Sequence, residues 1–202
     1  MAGSHILGDL DSAQVKEIEA GKQVVLFEEV PGVPWPRTSV YQVVDTSAEE
    51  VMAVFFDYQS AKSFMPHLLK SEVSKAVTPC ILEVDYGLDV PILPDEFYTA
   101  RNALSALPGG AYKVDWKLLR AVQTKDAVGS LIIEPLGNKA VLRYKNLTVP
   151  SSGMAVILKG PAIERMKATV NAICKEAVRL KTKDPRALEE KVEAMRKAIA
   201  GG

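Results

Sequence analysis

The chain has 202 residues, 48% of them hydrophobic and 25% charged, which fits one soluble globular domain with room for an extra terminal element. Lys plus Arg equals Asp plus Glu at 25 each, so no basic surplus drives binding to a phosphate backbone, and nucleic acid is disfavoured as a partner. Cys80 and Cys174, with His5 and His67, form neither a disulfide framework nor a metal-ligand pattern, so no metal and no cofactor are expected.

Met1-Ala2-Gly3-Ser4-His5 reads as a cloning remnant, behind which a native leader can have been removed. Compartment and oligomeric state are therefore left open. No apolar run approaches the roughly 18 to 20 residues that a membrane span needs. Asp11 or Ser12 can cap a short helix carrying Val15 and Ile18, and Gly21 ends it. Gln23 to Val30 and Thr38 to Val44 read as strands, separated by Pro31, Gly32, Pro34 and Pro36. Asp45-Thr46-Ser47 with Glu50 predicts a capped helix, whose face carries Val51, Val54, Phe55 and Tyr58. A second short helix is expected over Ala61 to Met65, stopped by Pro66.

The period then changes from helical to alternating. Lys70 to Val77 and Cys80 to Tyr86 read as strands, with Leu82, Val84 and Tyr86 on one face. The stretch Val90 to Pro94 carries two prolines and cannot be an inner strand. Strands follow over Glu96 to Leu104, Tyr112 to Leu119, Val128 to Glu134 and Ala140 to Thr148, the last two joined at Leu136-Gly137-Asn138-Lys139. A long helix is predicted from Met154 to Leu180, with Gly160-Pro161 kinking or dividing it. Its apolar stripe holds Ile163, Met166, Val170, Ile173, Cys174, Ala177 and Val178, with Glu164, Arg165 and Lys167 among the residues off the stripe. Asp184-Pro185 opens a last helix with Leu188, Val192, Met195 and Ile199 at helical spacing. Such a stripe usually packs on its own domain; an oligomer contact or transient contact with a membrane surface is the alternative.

Three passages carry a resemblance: Val40 to Pro66 (VYQVVDTSAEEVMAVFFDYQSAKSFMP), Val114 to Leu119 (VDWKLL), and Gly129 to Asn146 (GSLIIEPLGNKAVLRYKN) leading to the closing helix. Together with the element order they resemble the START-like superfamily, also called SRPBCC, from about Gln23 to Leu180. The resemblance implies an α+β helix-grip fold, a curved antiparallel sheet wrapped around a long C-terminal helix and enclosing an apolar cavity. It divides the chain into the cloning remnant with the short helix (1–22), the helix-grip domain (23–182) and a C-terminal amphipathic helix (183–202). It also implies a protein that binds, and can carry, a hydrophobic small molecule such as a lipid. Some members of the superfamily are polyketide cyclases or aromatases acting on hydrophobic substrates, which makes an enzyme of that type the alternative. The final helix as a protein-interaction module is a third reading.

No catalytic constellation stands out. There is no G-x-S-x-G, no Walker pattern and no G-x-G-x-x-G, and the candidates for acid–base work reduce to Tyr86, Arg101, Glu134 and Tyr144. Alternation points Tyr112, Val114, Trp116 and Leu118 inward. In the strand Glu96 to Leu104 either face can be the inner one; if Arg101 points inward it can hold a ligand's carboxylate or phosphate. The expected ligand-binding set is Leu82, Val84, Tyr86, Arg101, Trp116, Leu142, Tyr144 and Asn146 from the sheet, with Ile163, Met166 and Val170 from the helix. The long helix and the Val90 to Pro94 loop are expected to form the entrance, with Gly153 and Gly160 as hinges. Alternation alone fits a filled core as well as a cavity.

Overall fold

The structure, a computed structural model, describes residues 6–90, 94–151 and 158–202. Eight antiparallel strands form one sheet: β1 (Val24–Glu28), β2 (Arg37–Val44), β3 (Leu68–Thr78), β4 (Ile81–Leu88), β5 (Glu96–Leu107), β6 (Ala111–Ala121), β7 (Thr124–Leu136) and β8 (Lys139–Pro150). Their spatial order is β1-β2-β8-β7-β6-β5-β4-β3, so β3 to β8 run as a meander and β8 closes back onto β2. The sheet stays open, with β1 and β3 at its edges. Register shifts interrupt β3 against β4 three times, β5 against β6 at Thr99/Ala100 and β7 against β8 at Thr124/Asp126. Such irregularities bend and twist a sheet. Among the described residues four α-helices complete the fold: α1 (Ser12–Glu19), α2 (Ala48–Phe56), α3 (Lys159–Lys183) and α4 (Pro185–Ala200).

The two faces of the sheet are covered separately. On the concave face α2, α3 and α4 bury one large cluster containing Val51, Val54 and Phe55 of α2, Leu104, Val114, Leu131 and Leu142 of the sheet, and Ile173 and Ala177 of α3. On the convex face the N-terminal segment and α1 bury Ile6 and Ile18 against Val24, Tyr41 and Val141. The caps form where the sequence places them. Asp11 accepts from the backbone N–H of Ala13 and Gln14, and Ser47 makes a reciprocal capping box with Glu50. The long helix begins at Lys159 among the described residues, so Gly160 and Pro161 fall in its first turn. There a missing N–H removes no intrahelical bond, so Pro161 is accommodated in the first described turn. The predicted turn over Met154 to Ile157, the hinge at Gly153 and the centre of the Val90 to Pro94 loop lie outside the described residues.

The last helix is joined to the domain by more than its tether. Leu188, Val192 and Met195 sit in the same buried cluster as α2 and α3. Arg196 donates Nε to Glu49 Oε1 and Nη2 to Glu49 Oε2, both at 2.7 Å, and Lys191 pairs with Asp57.

Glu50 ties α2 to α3. Its Oε2 accepts from the Ser47 N–H (2.9 Å), the Ser47 hydroxyl (2.9 Å), the Thr46 hydroxyl and Lys181 Nζ (3.1 Å). Burial pushes the carboxyl up, but these hydrogen bonds outweigh it and bring its pKa down to about 2 from an ordinary 4.5. A depressed folded-state pKa stabilises the protein above the unfolded value, and that stability is lost as pH falls through the folded one. Glu50 is therefore expected to supply at most about 3 kcal/mol at neutral pH, because each tenfold change in proton affinity corresponds to about 1.4 kcal/mol. Urea unfolding checks this: Glu50→Gln should be less stable than the parent at neutral pH, with the gap closing as the pH is lowered from about 4.5 to about 2. A gap independent of pH would show that the charge of Glu50 contributes nothing.

Candidate ligand-binding cavity

The concave face is not filled along its whole length. Residues from Val170 onward in α3 (Val170, Ile173, Cys174, Ala177, Leu180) pack into the solid cluster with α2. The first turns of the same helix instead stand over a cavity of about 320 Å³. That volume is at the lower end of the roughly 300–1,000 Å³ of small-molecule sites. The helix contributes Leu158, Pro161, Ala162, Arg165, Met166 and Thr169. The sheet contributes an aromatic wall of Tyr86, Tyr98, Trp116 and Tyr144, with Ala100, Leu118 and Ala127 between the rings. Phe55, Tyr58, Met65 and Leu68 close one side and Trp35 another. A narrower cleft of about 50 Å³ continues between Trp35, Thr38, Ile163 and Met166.

The rings hold each other in place. Tyr86 and Tyr98, opposite one another on β4 and β5, stack at 5.0 Å, and Trp116 lies 4.8 Å from Tyr144. Trp116 is fixed further by its position in the sheet. Its neighbour in register on β7 is Gly129, and the neighbour of Gly129 on β8 is Asn146. The indole lies across the glycine and donates Nε1–H to Asn146 Oδ1 at 3.0 Å. Asn146 in turn donates to the Thr148 hydroxyl at 2.9 Å. Both ends of the Asn146 amide are thus engaged in holding the wall.

The lining also carries polar groups, among them Asn102, Gln123, Thr124 and Thr169. Burial pushes the hydroxyls of Tyr58, Tyr86, Tyr98 and Tyr144 upward, so they remain protonated. Tyr58, only 3% exposed, buries its hydroxyl without a partner among the described residues. Glu96 is held by the backbone: its Oε1 accepts from Val122 N–H (3.2 Å) and its Oε2 from Gln123 N–H (2.8 Å). Arg165 is the one cationic side chain among the described lining residues, and desolvation holds its guanidinium below its ordinary pKa.

The structure divides the residues singled out from the sequence. Tyr86, Trp116, Tyr144, Asn146 and Met166 meet around the cavity. Ile163 reaches only the adjoining cleft. Leu142, Val170 and Val84 are fully buried and do not line the cavity, the first two because they belong to the solidly packed cluster. Leu82 shares the inner face but is half-buried away from the cavity, near Cys80, whose thiol donates to the Ala198 carbonyl of α4 at 3.1 Å. Arg101 is on the opposite face. It stands in register with Glu83 and Lys117, and its Nε and Nη2 donate to Glu83 Oε1 at 3.2 and 2.6 Å. The inner set of β5 is therefore Glu96, Tyr98, Ala100 and Asn102, and a convex-face Arg101 cannot meet a ligand in this cavity. Glu134 is also outside: its Oε2 accepts from the Ile6 N–H on the convex side.

No protein-family model matches the chain, and no curated protein matches it. Solved structures do. The STAR-related lipid transfer protein from Xanthomonas axonopodis superposes with a TM-score of 0.69 at 17% identity, over 77% of this chain and 93% of that one. Human STARD10 gives 0.65 at 13% identity, over 88% and 78%. The Zhui aromatase/cyclase from Streptomyces sp. R1128 gives 0.51 at 17% identity, over 79% and 96%. These likenesses establish the START-like helix-grip fold. No helix among the described residues is long and apolar enough to cross a membrane.

Proposed function

We propose that the protein binds one hydrophobic small molecule, of lipid character, in the cavity beneath the first half of α3. The observation that carries this reading is the cavity itself, about 320 Å³ and bounded mainly by aromatic and aliphatic side chains, beside a solidly packed part of the same face. Removing apolar ligand surface from water there contributes roughly 25 cal/mol per Å². The fold supports it as well, since structural neighbours include proteins described as lipid transfer proteins. The aromatase/cyclase neighbours keep an enzyme of that type as the competing reading. Proton transfer would then fall to a lining group, and the Glu96 oxygens already hold two backbone amides while burial keeps the tyrosine hydroxyls protonated.

The chain offers its own reporter. It has two tryptophans, Trp35 and Trp116, and both line the cavity. Titration with a long-chain alcohol should shift intrinsic emission saturably at one ligand per chain, and native mass spectrometry of the purified protein should show a bound apolar compound. Ala162→Phe, which places a ring over the cavity from α3, should weaken the titration at least tenfold. A flat titration together with a ligand-free mass would sink the binding reading.

A further inference from the structure

The ligand's polar end is specified by an asymmetry between the two charged residues of the lining, Glu96 and Arg165. The Glu96 carboxylate is committed to the backbone amides of Val122 and Gln123. Arg165 has no hydrogen bond and no ion pair within 4.0 Å among the described residues, although it is half-buried. The groups that act on it electrostatically are Asp89, which stands 3.4 Å from the His67 ring, and the lining residue Tyr98. A guanidinium carries five N–H donors in a planar fork matched to carboxylate and phosphate oxygens. A desolvated guanidinium with no acceptor is costly, and an oxyanion delivered by the ligand would offset that cost.

We infer that the ligand is a single-chain amphiphile with an anionic head, carboxylate or phosphate monoester, whose oxygens Arg165 holds at the α3 side of the cavity while the chain runs between Tyr86, Tyr144 and Trp116. This rests on the binding reading above. The volume points the same way, since a cavity at the small end of the ligand-site range suits one chain better than two. Position fits too: Arg165 stands one residue before Met166 and three after Ala162, on the helix surface that faces the aromatic wall.

The test compares palmitate, hexadecanol and palmitoyl-lysophosphatidic acid, below their critical micelle concentrations at mildly alkaline pH, by tryptophan emission with the intact chain, Arg165→Gln and Arg165→Lys. The expected result is a preference for the two anions over the alcohol of about tenfold or more, the scale of one hydrogen bond to a charged group. Arg165→Gln should collapse the anion-to-alcohol ratio toward one, and Arg165→Lys should keep part of it. The relative affinity of palmitate and the lysophosphatidic acid tells which head is the better fit. Equal binding of acid and alcohol by the parent overturns the inference and leaves the binding reading standing. A preference that persists undiminished in Arg165→Gln overturns the role of Arg165. If none of the three ligands moves the emission and native mass spectrometry shows the protein ligand-free, the binding reading itself fails, and this inference with it.

Discussion

Gly129→Ala is expected to destabilise the protein by about 3 kcal/mol and to disorganise the cavity wall at the same time, at the upper end of what overpacking costs. A Cβ at this position would lie 2.4 Å from Trp116 Cζ2, 2.5 Å from Cε2 and 2.4 Å from the Lys145 carbonyl oxygen. Neither neighbour yields cheaply. The carbonyl belongs to the β7–β8 ladder, and the indole is tied to Asn146 beyond the glycine. If the ring lifts, its N–H loses that bond and the ring moves toward Tyr144 and the cavity. Chemical denaturation should show a lower midpoint, and Trp116 emission should shift without any ligand. Trp116→Phe in the Gly129→Ala background should restore part of the stability, because the smaller ring ends before the new methyl. A midpoint within experimental error of the parent would show that the indole does not lie on Gly129.

Truncation after Asp184 should leave a chain that does not fold cooperatively. Leu188, Val192 and Met195 of α4 are buried against α2 and α3, and at roughly 1.5–3 kcal/mol per fully buried apolar side chain they approach the stability of a whole domain. The point substitution Met195→Ala removes part of this in a chain that still folds, at about 2–5 kcal/mol. Urea unfolding of both chains decides it: a truncated protein with an unchanged midpoint would make α4 a dispensable appendage. The result bears on the interaction-module reading. Deleting the helix cannot test partner binding if it unfolds the domain, whereas exchanging exposed residues such as Arg186 and Glu193 leaves the buried stripe intact.

Much of this architecture is legible in the sequence, for physical reasons that also mark where legibility stops. The alternation of Tyr112 to Leu119 fixes which side of β6 faces in, because Val114 and Trp116 alternate with Lys113, Asp115 and Lys117. Strand β5 offers no such contrast. Phe97 and Thr99 on one face look much like Tyr98 and Ala100 on the other, and only pairing with β4 sends Arg101 outward to Glu83. The helix shows a subtler limit. Ile163, Met166, Val170 and Ile173 make a clear stripe, but Leu158, Pro161, Ala162, Arg165, Met166 and Thr169 make a second stripe turned by roughly 90° around the axis, the two sharing Met166. A hydrophobicity-weighted reading follows the first and places Arg165 off the stripe. Arg165 could be recognised from the sequence only by asking which stripe includes Met166 and one charged residue. Whether a concave face is filled or hollow depends on how far α2 reaches along it, which is a tertiary fact that no local period encodes.

An open sheet of eight strands leaves two rows of peptide groups at its margins, and such rows can recruit strands from other molecules. The three register shifts in β3 have a consequence here. They break its outer margin into short, differently angled stretches, and Lys70, Glu72 and Lys75 place charges along it. A foreign strand would find no straight run to zip onto. The sheet can thus stay open at this margin without the closure by which a barrel protects itself from self-association.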